Sequence, residues 1–284
     1  MILLSEEEQK QFLVQCQTKA LQGKTGSDNP SFVFLMGAKG SGKTTLARKL
    51  PNTVLASADD IICDYFKATG ADPRVYEYDD EERAFFTKAL NGVFMAAIKN
   101  KCNIAYDTGL TDNSEKLMLR MQKFGYNVEI KAMLIAPIEA QLNVIDRKLK
   151  FDNNFTDYKS GKTGYPDGQN PTRVDAALAK KSAITAEHFL AELDMAGESF
   201  EVWEYGSDEV KYSTKSAQIP FVDYLDDFHN RQPEVNAYKP RINELDHEAS
   251  RQGNTKISAD LARLRGHLFD AKPLKRTRER NYER

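Results

Sequence analysis

The chain has 284 residues, with 40 Lys and Arg against 42 Asp and Glu, for a formal net charge of −2. That near-balance argues against a nucleic-acid coat, and the absence of an apolar run of about 18 residues excludes a membrane-spanning helix. Three cysteines, Cys16, Cys63 and Cys102, form no CxxC and cannot all pair within the chain. This excludes a disulfide scaffold and suits a reducing compartment. The opening MILLSEEEQK also lacks the basic-then-apolar order of a secretory leader.

In chain order, residues 1–30 read as an amphipathic helix, with Phe12, Leu13, Cys16, Ala20 and Leu21 at helical spacing, and then a loop. SFVFLM, residues 31–36, is a short apolar run of the kind buried on both faces of a sheet. TVLA (53–56) and NIAY (103–106) are further short strands, with a long helix at 79–99 between them. A helix at 114–124, a strand at 128–136 and a helix at 138–149 follow. Residues 151–172 are rich in Asn, Asp, Gly, Lys and Pro and read as a lid loop, placed at 150–172. A helix at 173–193 and a closing strand or hairpin at 200–212 end the core. This alternation predicts an α/β fold, a mostly parallel sheet flanked by helices. The expected organisation is an N-terminal helix and loop (1–30), an α/β core (31–216), and a C-terminal helical extension with a basic tail (217–284).

The strongest signal is the run Gly37, Ala38, Lys39, Gly40, Ser41, Gly42, Lys43, Thr44, Thr45, which satisfies GxxxxGK[ST] between an apolar strand and a helix-compatible stretch. Glycines let successive amides curl around phosphate oxygens, and the following helix N-terminus adds its dipole. Lys43 is placed to neutralise the terminal phosphates of ATP, and the Thr44 hydroxyl to ligate Mg²⁺. The chain has no guanine-reading NKxD, no LSGGQ, and no apolar run ending in Asp-Glu. Small kinases and unusual ATPases remain.

Acidic residues fall just past two predicted strands: Asp59 and Asp60 after TVLASA, and Asp107 after NIAY. Ligands of open parallel sheets bind beyond the carboxyl ends of the strands, so these residues are expected to share a crevice with the glycine loop. Asp59 is the candidate base that orients an acceptor hydroxyl; the same position also suits a helix N-cap. Asp60 and Asp107 are candidates for the acceptor side, Asp107 also for a magnesium-bound water. Arg147 and Arg173 flank the polar loop; spacing alone is satisfied by solvated helix surfaces.

Taken together, GAKGSGKTT, LASADDI, IAYDTGL, FGYNVEIKAMLIA, the helix bearing Arg147 and NPTRVDAALAKKS resemble the zeta toxin family of P-loop kinases, and more loosely the phage polynucleotide kinases. The resemblance covers roughly residues 32–213. It implies that Lys43 and Thr44 hold ATP and Mg²⁺, that Asp59 is the catalytic base, and that Arg147 and Arg173 contact ATP phosphates around the lid. It also implies a nucleotide-containing acceptor such as a UDP-amino-sugar or NAD, bound near Asp107, Thr108 and Thr111. Thr111 stands where the family carries a substrate-binding Arg. An antitoxin or immunity protein is an implied partner, and the cytoplasm of its own or a target cell the implied place of action. Two alternatives remain open: a polynucleotide 5′-hydroxyl kinase, drawing on Lys159, Lys162 and the basic tail, and an ATP-binding interaction module without transfer activity.

Overall fold

A computed structural model describes residues 2–107, 114–166 and 175–270. The chain separates into two compact units, Met1–Arg231 and Gln232–Arg284.

The first unit opens with helix α1 (Glu6–Leu21), started by a capping box in which Ser5 and Glu8 satisfy each other's backbone amides. Strand β1 (Ser31–Gly37) leads through the glycine loop into α2 (Lys43–Lys49), then β2 (Thr53–Ser57), α3 (Ala58–Thr69) and α4 (Asp80–Lys99). Next come β3 (Asn103–Asp107), α5 (Ser114–Lys123), β4 (Asn127–Leu134), α6 (Pro137–Lys159) and α7 (Ala176–Met195). The hairpin β5 (Phe200–Glu204) and β6 (Val210–Ser213) and helix α8 (Phe221–Asn230) complete it. The sheet order is β2-β3-β1-β4-β5-β6, with only β6 antiparallel to its neighbour.

Central strand β1 is apolar throughout because both its faces are covered. Val33 and Leu35 meet Ala47 of α2 and Ala105 on one face. Phe32, Phe34 and Met36 join the larger core with Phe12 of α1, Tyr65 and Phe66 of α3, and Phe85 and Phe86 of α4 on the other. Burial on two faces removes the period-two alternation of a half-exposed strand. β1 and β3 place Leu35 level with Asp107, and β2 and β3 place Ser57 level with Asp107. This register puts the glycine loop, Asp107 and the start of α3 side by side at one edge of the sheet.

One boundary differs from the sequence expectation. The polar stretch was expected to be loop from residue 150, but α6 continues to Lys159. Phe151 and Phe155, one helical turn apart, are both 1% exposed and stacked with centroids 5.6 Å apart. Arg74 lies 4.8 Å over the Phe155 ring and donates to Thr156 Oγ1 at 3.0 Å. Two aromatic anchors among many polar residues therefore hold two further helical turns. Residues 167–174, which include Arg173, and residues 108–113, which include Thr108 and Thr111, lie outside the described residues.

Helix α8 packs within the first unit, with Phe221 5.3 Å from both Phe200 and Tyr212 by ring centroid. The second unit contains α9 (Lys239–Arg251) and α10 (Thr255–Arg265), joined by buried Ile242, Leu245, Ala249, Ile257, Leu261 and Leu264. Among the described residues no helix is long and apolar enough to cross a membrane.

Candidate active site

The glycine loop turns where β1 ends, and its backbone permits nothing larger at two positions. A Cβ on Gly37 would come 2.5 Å from the Met133 carbonyl oxygen. Gly40, at φ +80°, would press a Cβ to 3.0 Å from the Ala140 oxygen and from Asn143 Cβ of α6. Two side chains from outside hold the loop. Asn143 Nδ2 donates to the Gly40 carbonyl at 2.8 Å, and the Lys39 amide donates to Ser182 Oγ of α7 at 3.2 Å.

Lys43 is folded inward. Its ammonium donates to the carbonyls of Gly37 (2.9 Å) and Ala38 (2.8 Å) and lies 4.0 Å from Asp107. Burial pushes its pKa below the ordinary lysine value of 10.5; the charges of Asp107 and Asp59 oppose that shift, and Arg147 adds to it. An ammonium so placed gains from an incoming anion, because its hydrogen bonds go to weak neutral carbonyls in a dry setting. Ser41, fully buried in the same loop, leaves its hydroxyl without a hydrogen-bond partner. A glycine cradle and a buried cation fit a polyphosphate.

Thr44 donates its hydroxyl to Asp107 Oδ2. This pair of hard oxygen donors suits a magnesium ion that takes its remaining ligands from phosphate and water. Among the described residues no group of three or more His, Cys, Asp or Glu is arranged to hold a metal alone.

Around this centre is a cleft of about 260 Å³ lined by Ala38 to Gly40, Gly42 to Thr45, Asp59, Asp107, Arg147 and three groups not anticipated from sequence, Asn143, Asp146 and Tyr205. Asp59 reaches it from the first turn of α3. The N-cap of that helix is Ser57, whose side chain accepts from the Asp60 amide, so the capping role considered for Asp59 belongs to Ser57. Asp60 does not join the cleft. It pairs with Arg48 at 3.4 Å and lines a second cavity of about 500 Å³ with Lys19, Asp64, Cys16 and Cys63. One step along a helix turns a side chain by roughly 100°, enough to send neighbouring acids to different cavities. Asn143 and Arg147 are a helical turn apart; that spacing was the available sequence signal for Asn143, whereas nothing local marks Tyr205.

Residues 17–154 match the model of the zeta toxin family. The match includes the glycine loop, Asp59, Asp107 and Arg147. The fold agrees with a solved structure from the PezAT chromosomal toxin-antitoxin system of Streptococcus pneumoniae, with TM-score 0.62 and 17% identity over 86% of this chain and 98% of that one. Two structures of the AvrRxo1-ORF1:ORF2 complex align more loosely. One, with sulphate ions, has TM-score 0.45 and 14% identity, and the other, with ATP, has 0.47 and 12%; each covers 90% of this chain and 84% of the other. At that level they decide nothing about the zeta toxin segment. No curated protein matches the sequence.

Proposed function

We propose that this chain is an ATP-dependent kinase that transfers the γ-phosphate to an alcohol of a nucleotide-containing small molecule, of the UDP-amino-sugar or NAD type. The observation that carries this is the meeting of Asp59 with Lys43 and Thr44 in one cleft, from segments distant in sequence. A phosphate binder needs only the glycine loop. A kinase also needs a carboxylate across from it to hold the acceptor hydroxyl in line and accept its proton.

Lys43 would hold the terminal phosphates, and the loop glycines would let the backbone approach them. Asn143 and Ser182 would keep the loop in shape. Arg147, from α6, would balance charge on the transferring group. Thr44 and Asp107 would hold magnesium, which when bound neutralises phosphate charge. The position of Asp107 beside Thr44 favours this role over direct contact with the acceptor. Arg173 and the residues Thr108 and Thr111 enter this proposal by family resemblance alone. On the same basis we extend to this chain an antitoxin-like partner and action in the cytoplasm of its own or a target cell.

The test is incubation of the full chain with labelled ATP, Mg²⁺ and a metabolite extract, followed by mass identification of the labelled product. A phosphorylated nucleotide-sugar or dinucleotide, absent with Asp59→Asn, supports the reading. Label found only on polynucleotide ends would move the assignment to a 5′-hydroxyl kinase. ATP binding with no labelled product from any acceptor would leave a binding module.

A further inference from the structure

We infer that Tyr205 is the platform on which the base of the nucleotide stacks, and that this wall accepts purine triphosphates without distinguishing them. The inference rests on the nucleotide reading above.

Tyr205 stands just past the carboxyl end of β5, at the same sheet edge as the glycine loop, and lines the cleft with Gly42 and Thr45. A Cβ on Gly42 would lie 3.9 Å from its Cδ2. The ring therefore borders the entrance to α2, beside the residues that would hold the phosphates. It is 43% exposed, and among the described residues it has no aromatic partner.

The mount beneath the ring is fixed. Its own amide donates to the Leu134 carbonyl at 2.8 Å. The preceding Glu204 accepts from Tyr224 at 2.8 Å and from both Arg231 terminal nitrogens at 2.8 and 3.1 Å. Three residues on, Asp208 is ion-paired with Lys49 of α2, which clips the β5–β6 turn to the helix that begins at Lys43. An exposed aromatic face on such a mount binds a flat ring at little conformational cost.

The two polar side chains of the turn that follows Tyr205 are already engaged. Ser207 donates to the Glu209 carbonyl at 3.3 Å and accepts from its amide at 3.2 Å, and Asp208 is held by Lys49. These two side chains are therefore not offered to the hydrogen-bonding edge of a base. A ring face alone reads aromaticity, which every base offers.

The test measures dissociation constants of ATP, GTP and inorganic tripolyphosphate, with Mg²⁺, on the full chain and on Tyr205→Ala and Tyr205→Phe. Tyr205→Ala should weaken ATP and GTP about tenfold or more and tripolyphosphate less than about twofold, while Tyr205→Phe stays within about twofold of the parent. Equal weakening of tripolyphosphate would overturn the assignment, because the ring would then act through the loop. An unchanged ATP affinity in Tyr205→Ala would also overturn it and leave the nucleotide reading standing. A parent preference between ATP and GTP above about tenfold, which is about 1.4 kcal/mol, would overturn the tolerance. If the parent binds none of the three, the nucleotide reading falls first and this inference with it.

Discussion

Asp59 and Asp60 are adjacent on one helix, yet they line two cavities of opposite character. In the cleft of Asp59, the buried Lys43 is held by carbonyls of its own loop, and burial lowers its pKa. In the cavity of Asp60, Arg48 is paired with Asp60 and Lys19 with Asp64 at 2.7 Å. The Asp60 cavity is the larger of the two, so volume does not separate them. What does is how closely the charges are held: Lys43 stands 4.0 Å from Asp107 and gives its hydrogen bonds to carbonyls, whereas Lys19 donates directly to Asp64. A cavity whose charges are paired gains little from a charged ligand. One in which a buried cation spends its hydrogen bonds on neutral carbonyls gains more.

The sharpest way to break this contrast is to neutralise the two acids separately. Asp59→Asn should lower phosphoryl transfer by about a hundred- to ten-thousandfold while leaving ATP affinity within about threefold. Asp60→Asn should change transfer by less than about twofold, and its pair with Arg48, which is 54% exposed, should be worth at most about 1 kcal/mol of stability. Equal losses of transfer in the two variants would abolish the distinction.

A second prediction concerns what supports each cavity. Phe155→Ala removes a buried ring that stacks on Phe151 and carries Arg74. It should cost about 3–5 kcal/mol in denaturant unfolding. A loss under about 1 kcal/mol would mean that the last turns of α6 are not anchored by these rings.

Gly40→Ala should act closer to the chemistry. The added methyl meets the Ala140 oxygen and Asn143 at a positive φ. It should cost about 1–3 kcal/mol and weaken ATP, as read by calorimetry. No weakening of ATP would show that the brace from α6 does not shape the loop.

The smallest expected effect is on pH. The folded Lys43 binds its proton less tightly than an ordinary lysine. The unfolded chain therefore holds more protons at this site, and stability rises with pH between the lowered folded value and the ordinary 10.5. Loss of the ammonium also removes a phosphate partner, so ATP affinity should fall over the same alkaline window. Subtracting the behaviour of Lys43→Met isolates both trends. A difference that shows stability falling with pH would contradict the burial of this lysine.

The alternation of strands and helices was legible because each element carries its own period, and the glycine loop because its residues are contiguous. The end of α6 was harder to read. Its anchors, Phe151 and Phe155, are two aromatics in a polar stretch, and their meaning depends on Arg74 and Tyr165 from distant segments. Asp59 could be put forward from its place after a strand, but its separation from Asp60 depends on the rotation of α3 about its axis. Tyr205 lies far along the chain from Gly42, and only the order β1-β4-β5 brings their edges together.

By itself, then, the amino-acid sequence determined the α/β class, the phosphate-binding loop and the acids available to serve it, because these follow from local conformation and residue chemistry. Tertiary structure alone decided which acid faces Lys43, which side chains brace the loop and which ring closes its wall. Those depend on sheet order, register and helix rotation, which bring together groups that have no local relation in the chain.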